Sequence, residues 1–246
     1  MAEIGYGYGS EWHLMRFMAR HRKQLEKAIR QIVNEKKGEF NWLDFEFSKN
    51  PKKPITGDIE IHGLQFLEEL IDDEKIIQDI LKEYKKTGIN KINTWQSWDA
   101  VFELNNIIYL VEAKAHIEEM KDNDIDKHGG DSKQEIENFI FENLKQQNVS
   151  IKKEKCLGLY YQLANRLATV AFLKNKGLEA RCLYIYFLNG YVKENDNKSV
   201  VSLKSYQDEI HNEIVDLGLN QDELKHLLYH VFIDAKSRDF IYPKHQ

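Results

Sequence analysis

The chain has 246 residues, 42% hydrophobic and 30% charged, with a formal net charge of −5, enough apolar material to bury the core of one large or two small domains. The negative balance excludes a protein that holds nucleic acid by bulk positive charge, because phosphate neutralisation drives that kind of affinity. Any such contact has to come from local basic patches. No run of about 18 apolar residues occurs, so no transmembrane helix is expected. Met1–Ser10 lacks the basic-then-apolar pattern of a secretory signal, which makes the cytoplasm the expected compartment.

Residues 1–9 are rich in glycine and tyrosine and read as a loop. Gly5, Gly7 and Gly9 suggest a phosphate loop, but no strand precedes them and Ser10 stands where GxGxxG needs its third glycine. Ser10 reads as an N-cap of a helix running to about Asn34, with Leu14, Met18, Leu25, Ile29 and Ile32 along one face. Residues 38–93 read as an insertion. Phe40–Phe47 has near-alternating aromatics, a candidate strand; Pro51 and Pro54 mark a loop, and 64–87 one or two helices. From Trp95 to His116 the pattern is extended. Asn105-Asn106 separates two apolar runs and tolerates the positive φ of a tight turn, so 98–104 and 107–116 form an antiparallel hairpin.

Residues 117–133 are polar and contain Gly129-Gly130, and a helix covers about 133–147. Leu157–Lys176 is a helix ended by Gly177. Ala180–Leu188 is an almost unbroken apolar run, as in a strand buried on both faces. Helices are expected at about 205–217 and again after Asn220, where Asn220 and Glu223 have capping-box spacing. The two cysteines, Cys156 and Cys182, lie in apolar segments without CxxC spacing and read as core residues.

Three residues carry chemistry. Twelve residues separate Asp99 from Glu112, and one separates Glu112 from Lys114. Side chains alternate along a strand, so Glu112 and Lys114 share a face. The hairpin turn folds Asp99 back beside Glu112. Two converging carboxylates form a hard-oxygen site suited to Mg²⁺ or Mn²⁺, with the backbone carbonyl of Ala113 as a further ligand. A lysine on a mostly apolar strand next to them can orient an attacking water and steady charge developing on phosphate.

Asp99 followed by Glu112-Ala113-Lys114 after an apolar run resembles the PD-(D/E)XK nuclease superfamily, which includes type II restriction enzymes and RecB-type nucleases. The resemblance covers most of 10–190. It implies a restriction-endonuclease-like α/β core: a helix, an antiparallel hairpin plus mixed central sheet, and flanking helices. Around that core a single domain over 1–246 would carry the helical insertion 38–93 and a C-terminal helical extension 191–246. It implies metal binding by Asp99 and Glu112, and catalysis by Lys114. Glu11 matches the acid many members carry on the first helix, and Gln162 the glutamine some carry on the helix after the ExK strand. Arg166, one turn on, could contact phosphate. Trp98 stands where the motif's name has proline.

The function so implied is an Mg²⁺-dependent endonuclease acting on DNA, of restriction or defence type. As enzymes that cut both strands usually present two sites, a homodimer is expected. The alternative is a catalytically silent nuclease-fold module that binds nucleic acid or a protein partner. Arg16, Arg20 and Lys23 share a face of the first helix and are candidates for backbone contact, although a solvated face is the commoner arrangement. The same holds for Lys152, Lys153 and Lys155. Asp122, Asp124 and Asp126 have calcium-loop spacing, but Lys127 and Lys133 occupy the required glycine and glutamate positions. His116 shares a face with Glu112 and Lys114 and could assist catalysis, although local hydrogen bonding is the favoured reading. Tyr184–Phe187 reads as core.

Overall fold

The computed structural model describes residues 9–43, 61–87, 96–121, 130–190 and 200–236. The expectations for 1–8, for Pro51 and Pro54, and for Asp122, Asp124 and Asp126 lie outside the described residues. Among those described, the elements run α1 (Ser10–Arg20), α2 (Arg22–Val33), β1 (Asn41–Trp42), β2 (Ile61–His62), α3 (Leu67–Leu70) and α4 (Glu74–Tyr84). There follow β3 (Ser97–Trp98), β4 (Ala100–Leu104), β5 (Ile107–Lys114), a 3₁₀ turn at Ile117–Met120, α5 (Gly130–Gln146), α6 (Tyr161–Asn175), β6 (Ala180–Leu188), α7 (Leu203–Leu217), α8 (Gln221–Leu224) and β7 (Leu228–Asp234).

The chain is an α/β protein with a five-stranded mixed sheet ordered β1-β4-β5-β6-β7. The β1–β4 and β4–β5 pairs are antiparallel, and β5–β6 and β6–β7 are parallel. The β4–β5 hairpin turns through Asn105 (φ 54°) and Asn106 (φ 62°), the positive-φ pair that matches the twist of the flanking strands. β6 is buried along nearly its whole length, as its apolar run requires.

Strand residues alternate between two cores. Val101, Leu110, Cys182, Tyr184 and Tyr186 pack with α4, α5, α6 and α7. Phe102, Tyr109, Val111, Ala113, Ile185 and Phe187 pack with α1 and α2. Helices thus cover both faces of the sheet, the arrangement that parallel strands require.

Several sequence expectations are corrected. The first helix breaks at His21 (φ −128°, ψ 26°). The break lets α1 and α2 each lay a stripe on the sheet, so Val33 is buried and Ile32 is 44% exposed. Gly9 (φ 90°), not Ser10, stands at the N-cap of α1. The stretch 38–93 is not wholly an insertion, because β1 is the edge strand of the main sheet. The C-terminal extension is not wholly helical either. Leu228–Asp234 joins the sheet parallel to β6, with Cys182 opposite Leu228 and Leu188 opposite Asp234. Asn220 caps α8 through Asp222 N–H at 2.9 Å, whereas Glu223 accepts the N–H of Ser150 at 2.7 Å instead of completing a capping box.

Candidate functional site

β4 and β5 oppose each other from Leu104↔Ile107 to Ala100↔Val111. Asp99 lies just before that ladder begins, and its N–H donates at 3.1 Å to the carbonyl of Val111, the residue that Ala100 faces. The preceding Ser97 and Trp98 pair with β2 instead, so Asp99 lies where the strand changes partners. Its Oδ2 accepts the N–H of Ala113 at 2.6 Å. Asp99 thus grips the β5 backbone at Ala113, and its charge acts on Lys114 and Arg166.

Glu112 and Lys114 project towards α6. Glu112 Oε1 accepts Lys114 Nζ at 2.8 Å and Oε2 accepts Arg166 Nε at 2.9 Å. Lys114 Nζ also donates to Gln162 Oε1 at 2.6 Å. Gln162 and Arg166 are one helical turn apart and reach the strand from one face of α6. The Arg166 guanidinium lies over the Trp98 ring, 4.7 Å from its centroid. Glu112, Lys114 and Arg166 are 4%, 4% and 7% exposed.

Three charges can stay ionised there only by compensating one another. Burial pushes the Glu112 carboxyl up, but Lys114 and Arg166 outweigh it and hold its pKa below the ordinary value. Burial pushes Lys114 down, yet Glu112, Glu119 and Asp99 outweigh it and raise its pKa. Lys114 is therefore a persistent ammonium, suited to charge stabilisation and not to proton abstraction at neutral pH.

Asp99 and Glu112 offer hard-oxygen donors of the kind divalent cations prefer, and the backbone carbonyl of Ala113 is a further oxygen on β5. Among the described residues no group of three or more His, Cys, Asp or Glu is placed to hold a metal ion. Glu11 therefore does not complete a three-carboxylate cage with them. It lies half-buried in the first turn of α1, the helix that covers the other face of the sheet. Two carboxylates plus water and a carbonyl remain a sufficient set for Mg²⁺, which keeps much of its hydration. Such an ion would compete with Arg166 and Lys114 for the oxygens of Glu112.

The other candidates disperse. Arg166 is buried in the cluster and not set in a surface patch. Arg16 Nη2 donates to Ala235 O at 2.6 Å, and Arg20 and Lys23 are exposed on the first two helices. His116 is buried near His13 of α1, which it helps to keep neutral: burial first, then Arg16, His116 and Lys236 lower His13 to about 3. Lys152, Lys153 and Lys155 bind Val215 O, Glu137 and Asp216 at the surface. Tyr184, Ile185, Tyr186 and Phe187 are core.

Sequence reasoning missed the acids of α7 and of the 3₁₀ turn. Glu119 accepts the N–H of Ala115 at 2.7 Å. Glu209 and Glu213 are 7% and 2% exposed. The signal was present: both fall in the stripe of Tyr206, Ile210, Ile214 and Leu217, and acids on the apolar side of an amphipathic helix are unusual.

Comparison with protein-family models, with curated proteins and with solved structures gives no match. Fold and site together define an α/β protein with a five-stranded mixed sheet and a buried carboxylate–lysine–arginine cluster at the end of its central hairpin. Among the described residues no helix is long and apolar enough to cross a membrane.

Proposed function

We propose that this chain is a metal-dependent nuclease with a PD-(D/E)XK-type, restriction-endonuclease-like core, hydrolysing phosphodiester bonds of nucleic acid, most simply DNA. The observation that carries the reading is the Asp99–Glu112–Lys114–Gln162 arrangement. Asp99 accepts the Ala113 N–H next to Glu112 in the chain, and the Lys114 ammonium is held by Glu112 and by a helix glutamine. In this reading Asp99, Glu112 and the Ala113 carbonyl hold Mg²⁺ or Mn²⁺. When bound, the ion supplies Lewis-acid polarisation of phosphate and a more acidic water. Lys114, kept cationic by its neighbours, offsets charge building on the phosphate oxygens. Gln162 fixes the direction of the Lys114 amine, and Arg166 holds Glu112 in place.

Lys114→Ala is expected to lower plasmid or oligonucleotide cleavage roughly 10²–10⁴-fold, the usual scale for a positioned electrostatic or acid–base group. Mn²⁺ binding should persist in that variant, since an ammonium is no metal ligand, while Asp99→Asn should abolish it. Cleavage by Lys114→Ala at the wild-type rate would remove the catalytic role. A second reading, a silent nuclease-fold module, is favoured by one observation: both oxygens of Glu112 are already taken by cations. It takes the lead if wild type cuts no DNA or RNA in Mg²⁺ or Mn²⁺ yet shifts DNA in a gel.

A further inference from the structure

Arg166 serves the cluster through one atom. Its Nε donates to Glu112 Oε2 at 2.9 Å, and among the described residues this is its one hydrogen bond. A guanidinium carries five N–H donors in a rigid fork that fits a carboxylate or a phosphate two at a time. Here the fork is turned side-on. Its two terminal amino groups meet no acceptor among the described residues, although the side chain is no more than 9% exposed. The guanidinium is held by its flat face instead, 4.7 Å from the centroid of the Trp98 ring. That ring is fully buried, and its indole N–H donates to Gly63 O at 3.2 Å, so the surface under Arg166 is fixed. Lys114 is bound differently, to Glu112 Oε1 at 2.8 Å and to Gln162 Oε1 at 2.6 Å. If Glu112 were withdrawn, Lys114 would keep an acceptor and Arg166 would keep only its ring. The charges also balance without a metal: Glu112 and Asp99 are two anions, and Lys114 and Arg166 two cations that feel both.

Resting on the nuclease reading, we propose that Arg166 is the resident counter-cation of the metal site and its phosphate contact: it holds Glu112 Oε2 while the site is metal-free, yields that oxygen to Mg²⁺ or Mn²⁺, and offers its terminal amino groups to a phosphodiester oxygen. The anchoring of Glu112 by Arg166 is then a property of the metal-free site. The guanidinium stays on the indole face throughout, so its cation–π contact is kept while a carboxylate is exchanged for a phosphate. Of the two cations on Glu112, Arg166 is the one that can leave, because Lys114 is tethered to Gln162 as well. A buried cation without an anion is costly. The exchange is therefore complete only when ion and phosphodiester are both present, and in their absence Glu112 stays closed by its own two cations.

Arg166→Met keeps an unbranched stem over Trp98 and removes the charge. In calorimetric titration, Mn²⁺ should bind this variant roughly 10–100-fold tighter than wild type, because one charge-assisted hydrogen bond no longer has to be broken and one like charge is gone. At saturating Mn²⁺ the same variant should cut plasmid DNA about tenfold more slowly or worse, because a phosphate contact is lost. Tighter metal with slower cleavage separates this role from a structural one, since losing a mere anchor of Glu112 weakens both. A measurement on wild type keeps the test independent of how well the variant folds. The side-chain Nε–H resonance of Arg166 in ¹⁵N-labelled protein, identified by its absence from Arg166→Lys, should move as Mg²⁺ saturates the site. Mn²⁺ affinity in Arg166→Met equal to or weaker than in wild type, or an Nε–H resonance that stays in place while Mg²⁺ binds, overturns the exchange and leaves the metal site of the nuclease reading standing. Tighter Mn²⁺ binding with undiminished cleavage overturns the phosphate contact. Absence of Mn²⁺ binding by both wild type and Arg166→Met overturns the nuclease reading and this inference with it.

Discussion

Replacing Glu112 by Gln removes the one anion that binds both Lys114 and Arg166. The wild-type trio has two charge-assisted bonds, at 2.8 and 2.9 Å, among side chains no more than 9% exposed. In Glu112→Gln two cations remain buried, with Glu119 and Asp99 as nearby anions that pair with neither of them directly. Breaking a buried pair by deleting one partner costs about 3–5 kcal/mol, most of it the uncompensated charge. For a chain of this size that corresponds to roughly 6–20 °C in Tm, at about 2–4 °C per kcal/mol. Urea or thermal unfolding at pH 7.5 with EDTA reads it. Glu112→Gln/Arg166→Met should be more stable than Glu112→Gln alone, because one of the stranded cations is gone. The pH dependence has a definite sign. The folded pKa of Glu112 lies below its ordinary 4.5, so its contribution is present above that value and is lost as pH falls through the folded one. The gap between wild type and Glu112→Gln should be full at neutral pH and close in acid. A loss under about 1 kcal/mol at pH 7.5, on the scale of an exposed pair, would refute the buried, mutually compensated cluster.

Gln96 Oε1 accepts both Tyr84 OH and Thr169 Oγ1 at 2.7 Å in a buried junction of α4, β3 and α6. Gln96→Ala strands both hydroxyls and should cost about 1–3 kcal/mol in urea unfolding; a neutral result would mean that the hydroxyls find other partners. Asn105 and Asn106 hold φ of 54° and 62°. Asn105→Ala should destabilise by about 1 kcal/mol, because alanine lacks the short amide that lets asparagine tolerate the left-handed region and gives up the side-chain bonds to Glu35 and to Lys37 O. Asn106→Gly should be neutral or stabilising, and a loss of stability there would contradict the two-residue turn.

Local chemistry wrote much of this protein into its sequence. The Asn105-Asn106 turn, the Ala180–Leu188 strand, the C-terminal glycine of α6 at Gly177 (φ 85°) and the antiparallel β4–β5 hairpin each follow from a few neighbouring residues, through φ preference and strand alternation. Tertiary structure decided the rest. Leu228–Asp234 became a strand because β6 offered its open edge to a segment about 45 residues away in sequence, and parallel pairing leaves no local turn signal. The helix break at His21 serves the fit of two apolar stripes on one sheet face. Arg166 has the same sequence neighbourhood whether it meets a phosphate or Glu112; only the packing of α6 on β5 commits it to the carboxylate. Glu213 is an ordinary acid in sequence, and only burial between α7 and the sheet raises its proton affinity. Desolvation depends on residues far apart in the chain, and short-range patterns carry no record of it.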